Sequence, residues 1–262
     1  MRFLYPQSVL SPKKPDELFK EEVEAVAQRG IPVSLFDSEV LENKLVAFKP
    51  KVEIEETTIY RGWMLTAAEY ENLAQSVSGV GGKPLISAVQ YLAAHHLPNW
   101  YKLLSDLTPE TVVLPLEADW EKELTALGWP KFFVKDYVKS LKTSVGAIIE
   151  RPEDIHVVCA EMEKYRGRIE GGLCIRRVEE FIQETEQRYF VINGKPYAAD
   201  AQHDIPTAVS ACAERIESPF FSVDIVTRTD GVSRIIEIGD GQVSDLVGWT
   251  VARFASIWQE II

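Results

Sequence analysis

Residues 220–241 read FFSVDIVTRTDGVSRIIEIGDG. Two apolar runs flank Asp230-Gly231, a dipeptide that favours a two-residue hairpin turn. With that loop Thr229 faces Val232, and counting outward sets Asp224 directly opposite Glu237. Cross-strand Cβ atoms lie about 5 Å apart, where like charges repel. Either one carboxyl is protonated or a cation lies between the two, and Asp240 offers a third oxygen near the strand end. The plain alternative is an edge hairpin whose acids point into water. Phe221, Val223, Ile225, Ile236 and Ile238 argue for a buried opposite face, which makes the acid-bearing face a second surface. A loop longer by one residue would shift this register and remove the pairing.

Upstream, Lys135 sits in KFFVKDYV (131–138), where alternation puts it on the face of Phe133. A lysine in such a run costs stability unless it snorkels or meets an anion. Lys139, Lys142, Thr143, Ser144 and Gly146 follow, which suits a phosphate-covering loop or an ordinary solvated one. RRVEEFIQETEQRYF (176–190) then sets Glu179 and Glu180 between apolar residues, with Glu186 and Arg188 two apart on one strand face. As a surface ion pair those last two would contribute only about 0–1 kcal/mol. Asn193-Gly194 marks a second hairpin between QRYFVI and KPYAAD.

The rest of the chain frames these segments. Its 262 residues, 46% apolar and 26% charged, fit a globular protein with a substantial core. Strands are expected at 2–5, 31–36, 44–48, 57–62 and 84–87, with helices over 15–29, 66–77, 153–166 and 247–262. The alternating first part predicts a small α/β lobe over 1–97, and the later hairpins predict antiparallel pairing in the remainder, which the resemblance described below divides into lobes over 98–182 and 183–262. A net charge of −12 and a pI near 4.9 repel phosphate backbones, so nucleic acid is not an expected partner. Three cysteines form no C-x-x-C pair, the start MRFLYPQSVL lacks signal-peptide character, and no apolar run approaches the length of a membrane span. A soluble cytoplasmic protein is the expectation.

Taken in order, FFVKD, VEEFIQETE and VDIVTRTDGVSRIIEIGDG resemble the ATP-grasp family over roughly residues 98–245, with the spacing of D-alanine:D-alanine ligases. YRGWML (60–65), NWYKLL (99–104) and RYFVINGKP (188–196) are similar to a small bacterial and phage-associated branch of it. The resemblance implies an α/β fold with an N-terminal lobe before a two-lobed nucleotide-binding domain. Lys102 and Lys135 match phosphate-contacting lysines, with Lys139 in the loop beyond. Glu179, Glu180, Phe181 and Ile182 match the hinge that reads adenine, and Glu186 the ribose-binding acid. Asp224 and Glu237 match ligands of Mg²⁺ or Mn²⁺, with Asp240 as a displaced third. Arg188 matches a contact to the phosphates or acyl-phosphate, and Arg61 one reaching in from the first lobe. Where the family usually carries Asn, this chain has Gly239.

The implied chemistry is ATP-dependent joining of a carboxylate to an amine or other nucleophile, on a small-molecule, amino-acid or peptide substrate. Phosphoryl transfer asks for positioning and charge neutralisation, which lysines, arginines and metal-binding acids supply. The alternatives are a small-molecule kinase on the same fold and a silent nucleotide-binding protein, the latter suggested by Gly239. GVGGKPLIS (79–87) lacks phosphate-loop spacing, and His95-His96 point in directions about 100° apart on a helix, which suits ordinary helix residues better than metal ligands.

Overall fold

The computed structural model describes residues 1–138 and 146–261; Lys139, Lys142, Thr143 and Ser144 lie outside the described residues. The chain divides into two compact units, one of residues 1–93, 187–223 and 239–262, the other of residues 94–186 and 224–238. The first division falls at 93/94. The stretch expected as a single lobe, 183–262, instead contributes to both units, because three of its strands run across the divisions.

In the first unit a parallel sheet of order β2-β1-β3-β4 combines β1 (Arg2–Pro6), β2 (Val33–Phe36), β3 (Thr57–Tyr60) and β4 (Lys83–Pro84). α1 (Lys20–Gln28) makes the β1-to-β2 crossover that parallel strands require. α2 (Ala67–Gly79) starts at a capping box, in which the Thr66 hydroxyl and the Glu69 carboxylate satisfy each other's backbone N–H groups. α3 (Ala88–His95) follows. No strand forms over 44–48. There the Val46 N–H is taken by the Ser76 hydroxyl at 2.9 Å, and only Lys49 bridges to Leu35.

The second unit opens with α4 (Leu97–Leu104), which buries Leu97, Trp100 and Leu104 along one stripe. Its sheet, of order β5-β8-β6-β7, pairs β5 (Thr111–Leu114), β6 (Phe132–Asp136), β7 (Ile148–Ile149) and β8 (Leu173–Arg177) antiparallel. α5 (Trp120–Leu127) is capped by the Asp119 side chain and ends at left-handed Gly128. α6 (Ile155–Arg166) supplies Ile155, Val158, Cys159 and Met162 to the core.

A third sheet has the order β10-β9-β11-β12, from β9 (Phe181–Ile192), β10 (Lys195–Ala198), β11 (Phe220–Arg228) and β12 (Ser233–Asp240). Asn193-Gly194 makes the expected two-residue turn: Lys195 pairs with Ile192, and both turn residues have positive φ, 49° and 76°. α7 (Thr207–Arg215) lies between β10 and β11 in sequence. α8 (Val251–Gln259) buries Phe254, Ala255, Ile257 and Trp258, and the Trp258 ring meets Phe3 and Phe220 edge-on at 5.4 and 4.7 Å.

Candidate active site

Strand registers sort the second unit's sheet into two faces. Val112, Leu114, Phe132, Val134, Leu173 and Ile175 share one phase and pack with Leu124 of α5 and with α6 in a closed core. The other phase carries Thr111, Phe133, Lys135, Cys174 and Arg176. Both cations on it are buried, Lys135 at 4% and Arg176 at 5% relative exposure. A buried cation needs an anion or a set of oxygens around it.

Lys135 has Glu237 for this purpose, Nζ to Oε1 3.5 Å. The two partners differ in burial, since the Lys135 side chain is 5% exposed and that of Glu237 43%. Arg176 is held otherwise, by the Ile236 carbonyl at 2.6 Å and the Thr108 hydroxyl. Its Nε–H has no hydrogen-bond acceptor, and burial pushes its pKa down to about 10. Sequence reading did not single out Arg176. The signal was the one that marked Lys135, a charge in the inward phase of an apolar strand, here LCIRRV. His95 is also buried, and burial first, with His96 second, pushes its pKa down to about 4. It is therefore a neutral imidazole at pH 7.

The β11–β12 turn differs from the expected one. Gly231 N–H donates to the Arg228 carbonyl and Arg228 N–H to the Val232 carbonyl, both at 2.8 Å, and Gly231 has φ +87° while Asp230 is not among the positive-φ residues. This is a three-residue loop, a type I turn closed by a glycine bulge. The Asp230 carboxylate holds it, accepting from the Val232 N–H and from Arg228. The turn is thus one residue longer than expected, yet farther along the ladder Gly241 N–H donates to the Phe220 carbonyl at 3.2 Å, which is the offset of the two-residue count. Asp224 is buried, as the alternative of acids pointing into water does not allow. Among the described residues no three His, Cys, Asp or Glu side chains gather as a metal cage.

The expected hinge is fixed in place. Glu179 accepts from Arg234 at 2.9 Å and Arg228 at 3.2 Å, so its carboxylate is an anchor. The Glu180 carbonyl accepts the Thr229 N–H at 3.0 Å, and that of Ile182 the Thr185 hydroxyl at 2.6 Å. Phe181 begins β9, along which Glu186 is exposed. Lys102 is exposed in the last turn of α4. A cavity of about 620 Å³ is lined by Glu179 and Glu180 with Tyr101, Thr108 and three arginines. Each of these arginines faces an acid, Arg177 with Glu110, Arg228 with Asp230 and Arg234 with Glu179. That charge balance leaves little demand for an anion, unlike the Lys135–Arg176 face.

In the first unit Arg61 is not a group free to reach a substrate. Its Nε and Nη2 donate to the two Glu22 oxygens at 2.7 and 2.8 Å, and Nη1 donates to the Gly241 and Ser244 carbonyls at 2.6 and 2.8 Å. The guanidinium also stacks on Phe254 at 4.6 Å. These bonds make it a buried clamp within the unit. Arg188 donates to the Asp245 carbonyl at 2.7 Å, and its own carbonyl accepts from the Trp249 indole at 2.9 Å.

Gly239 has a local cause in the same unit. A Cβ built there would lie 2.9 Å from the Ser244 hydroxyl and 3.0 Å from that of Ser222, and these hydroxyls bond each other at 2.7 Å. The serine pair fills the place where an asparagine side chain would stand.

Asp240 is fully buried, with Oδ1 accepting from the Gln242 N–H and amide at 3.0 and 3.1 Å and Oδ2 without a hydrogen-bond partner. Burial pushes its pKa up to about 7. The folded-state value lies above the unfolded one, so its contribution is full below about pH 4 and is lost as pH rises to 7. Asn mimics the protonated acid. Relative to wild type, Asp240→Asn is expected to gain on the order of 3 kcal/mol between pH 4.5 and pH 8, read by denaturant unfolding at both pH values. Equal differences at the two would show an ordinary carboxylate.

Comparison with known proteins now places this geometry. The sequence matches no curated protein. Among solved structures, the D-cycloserine synthetase DcsG is similar at a TM-score of 0.67 and 15% identity, covering 100% of this chain and 99% of its own. The ATP-grasp ligase PsnB, complexed with a phosphomimetic variant of minimal precursor, Mg and ADP, aligns at 0.62 and 13%, over 98% and 96%. D-alanyl-alanine synthetase A from Vibrio cholerae O1 biovar eltor aligns at 0.61 and 10%, over 92% and 89%. At these identities the likeness establishes the fold, which is that of the ATP-grasp enzymes. A family model described as ATP-grasp domain, R2K clade family 3, matches residues 126–261, just over half of the chain and the whole span from β6 to α8. This chain belongs to the ATP-grasp family, in family 3 of its R2K clade.

Proposed function

We propose that this ATP-grasp enzyme is an ATP-dependent ligase that joins a carboxylate to an amine or other nucleophile through an acyl-phosphate. The observation that carries the reading is Lys135, a buried ammonium on the second face of the second unit's sheet, 3.5 Å from a half-exposed Glu237. A fixed ammonium next to a carboxylate suits a metal–polyphosphate, because each group finds an opposite charge on the nucleotide or its ion. Mg²⁺ commonly takes one or two protein carboxylates and completes its shell with water and phosphate oxygens. Asp224 and Glu237 therefore fit as its ligands without a three-acid cage, and Mn²⁺ asks for the same hard oxygens. When bound, such an ion neutralises charge on the phosphates.

Within this reading Lys135 grips the phosphates, Lys102 and Lys139 add charge, and the 179–182 segment reads the adenine with Glu186 on the ribose. The substrate carboxylate attacks the γ-phosphorus, ADP leaves, and the acyl-phosphate is opened by the nucleophile with release of phosphate. Arg188 is assigned to the transferred phosphoryl group. The protein's part is positioning and charge neutralisation, with no covalent group of its own. Amino acids and peptides are the favoured substrates, a choice supported by the precursor in the PsnB complex. The three cysteines are buried and free, which suits the reducing cytoplasm where ATP is supplied, and no helix among the described residues is long and apolar enough to cross a membrane.

The test is metal-dependent ADP release against pools of amino acids and peptides. A ligase releases ADP and phosphate only when both co-substrates are present. Phosphate left on an acceptor hydroxyl would instead identify a kinase, and no ADP under any combination would leave a silent nucleotide binder.

A further inference from the structure

Arg176 is the charged group on the Lys135 face that the nucleotide reading has not used. It is in register with Phe133, and its neighbour along β8, two residues back, is Cys174, in register with Lys135. Arg176 and Lys135 are thus diagonal cross-strand neighbours on one face, about 7–8 Å apart at the backbone. Three residues further along the chain stands Glu179, where the adenine-reading segment begins.

The surroundings of Arg176 are unusual for a structural arginine. It makes no ion pair among the described residues, and both of its hydrogen bonds go to neutral oxygens, the Ile236 carbonyl and the Thr108 hydroxyl. Its Nε–H is buried without an acceptor. Arg61 and Arg234 are held differently: Arg61 has both oxygens of Glu22, and Arg234 both oxygens of Glu179. Glu237 and Glu179 act on it only through space, and a buried cation with no acid in contact is costly in the free protein and is kept where a ligand supplies a contacting charge.

We propose that Arg176 is a second phosphate-contacting cation of the nucleotide site, paired with Lys135 across the β6–β8 ladder and taking an oxyanion of the di- or triphosphate. This rests on the ATP-dependent reading above. Guanidinium is suited to the role, since it stays charged when buried and presents several N–H donors to phosphate oxygens. The Thr108 and Ile236 bonds then act to aim the side chain.

Calorimetric titration with ATP, ADP and adenosine, each with Mg²⁺, tests the proposal on Arg176→Met, which keeps the stem and loses the charge, and on Arg176→Lys. Arg176→Met should weaken ATP and ADP by about tenfold or more and leave adenosine unchanged, while Arg176→Lys recovers part of the loss. The ligand-free melting temperature of Arg176→Met should match or exceed that of wild type, because an uncompensated buried charge has gone. Unchanged ATP affinity would overturn the assignment, as would an equal loss for adenosine and ATP together with a lower ligand-free melting temperature, which marks a structural bracket. If wild type itself bound no ATP, the ligase reading would fall and this inference with it; wild-type binding with an indifferent Arg176 overturns the inference alone.

Discussion

Lys135→Ala is expected to abolish ATP turnover, with a loss of about 100-fold or more, and to weaken binding of the metal–nucleotide complex. The ammonium is carried by β6, whose residue 135 is in register with Cys174 of β8, so its place on the sheet is fixed by the ladder. Lys135→Met separates charge from packing, because it keeps the stem that fills the face. Both variants should fold, since Glu237 is half exposed and open to water. Steady-state ADP release and nucleotide titration read the effect together. Wild-type turnover in the methionine variant would remove Lys135 from the site.

Arg61→Ala carries the largest expected effect on stability. Glu22 is 5% exposed and receives two hydrogen bonds from Arg61 and one from the Tyr5 hydroxyl. Removing the guanidinium strands that carboxylate in the interior and leaves the Gly241 and Ser244 carbonyls without their donor. A broken buried ion pair costs roughly 3–5 kcal/mol, which lowers the melting temperature by on the order of 10 °C for a unit of this size. The double variant Glu22→Gln/Arg61→Met should recover much of the loss, because no charge remains to be stranded. Thermal melts of the single and double variants check this. A normal melting temperature with lost turnover in Arg61→Ala would return the residue to the active site.

The two hairpins show how far local sequence carries. Asn193-Gly194 formed the expected turn because Asn tolerates the left-handed region, and Asn193 sits at φ +49°. At Asp230-Gly231 the same rule failed. The preceding Thr229 joined the loop, and the Asp230 side chain preferred to accept from Val232 and Arg228, which secures a type I turn and a bulge. The competing three-residue turn was within reach of the sequence, since Gly stands at the position that bulge requires. Lys135 was legible because a charge in an apolar strand is locally anomalous, and the β-α-β opening because crossover and strands follow one another. Arg61 was not, because its meaning depends on Glu22 and on carbonyls 180 and 183 residues away. Residues 44–48 read as a strand by pattern, but a serine hydroxyl from α2 took the N–H that pairing needed. Arg176 stands beside Arg177, and only the strand register tells which of the two lies on the Lys135 face.

Trapping of the activated carboxylate tests the central claim most directly. Hydroxylamine added to the enzyme with ATP, Mg²⁺ and a pool of amino-acid and peptide carboxylates should yield a hydroxamate, formed only when nucleotide and metal are both present and lost in Lys135→Met. ATP consumed without hydroxamate, with its phosphoryl group recovered on a hydroxyl, would contradict the acyl-phosphate account.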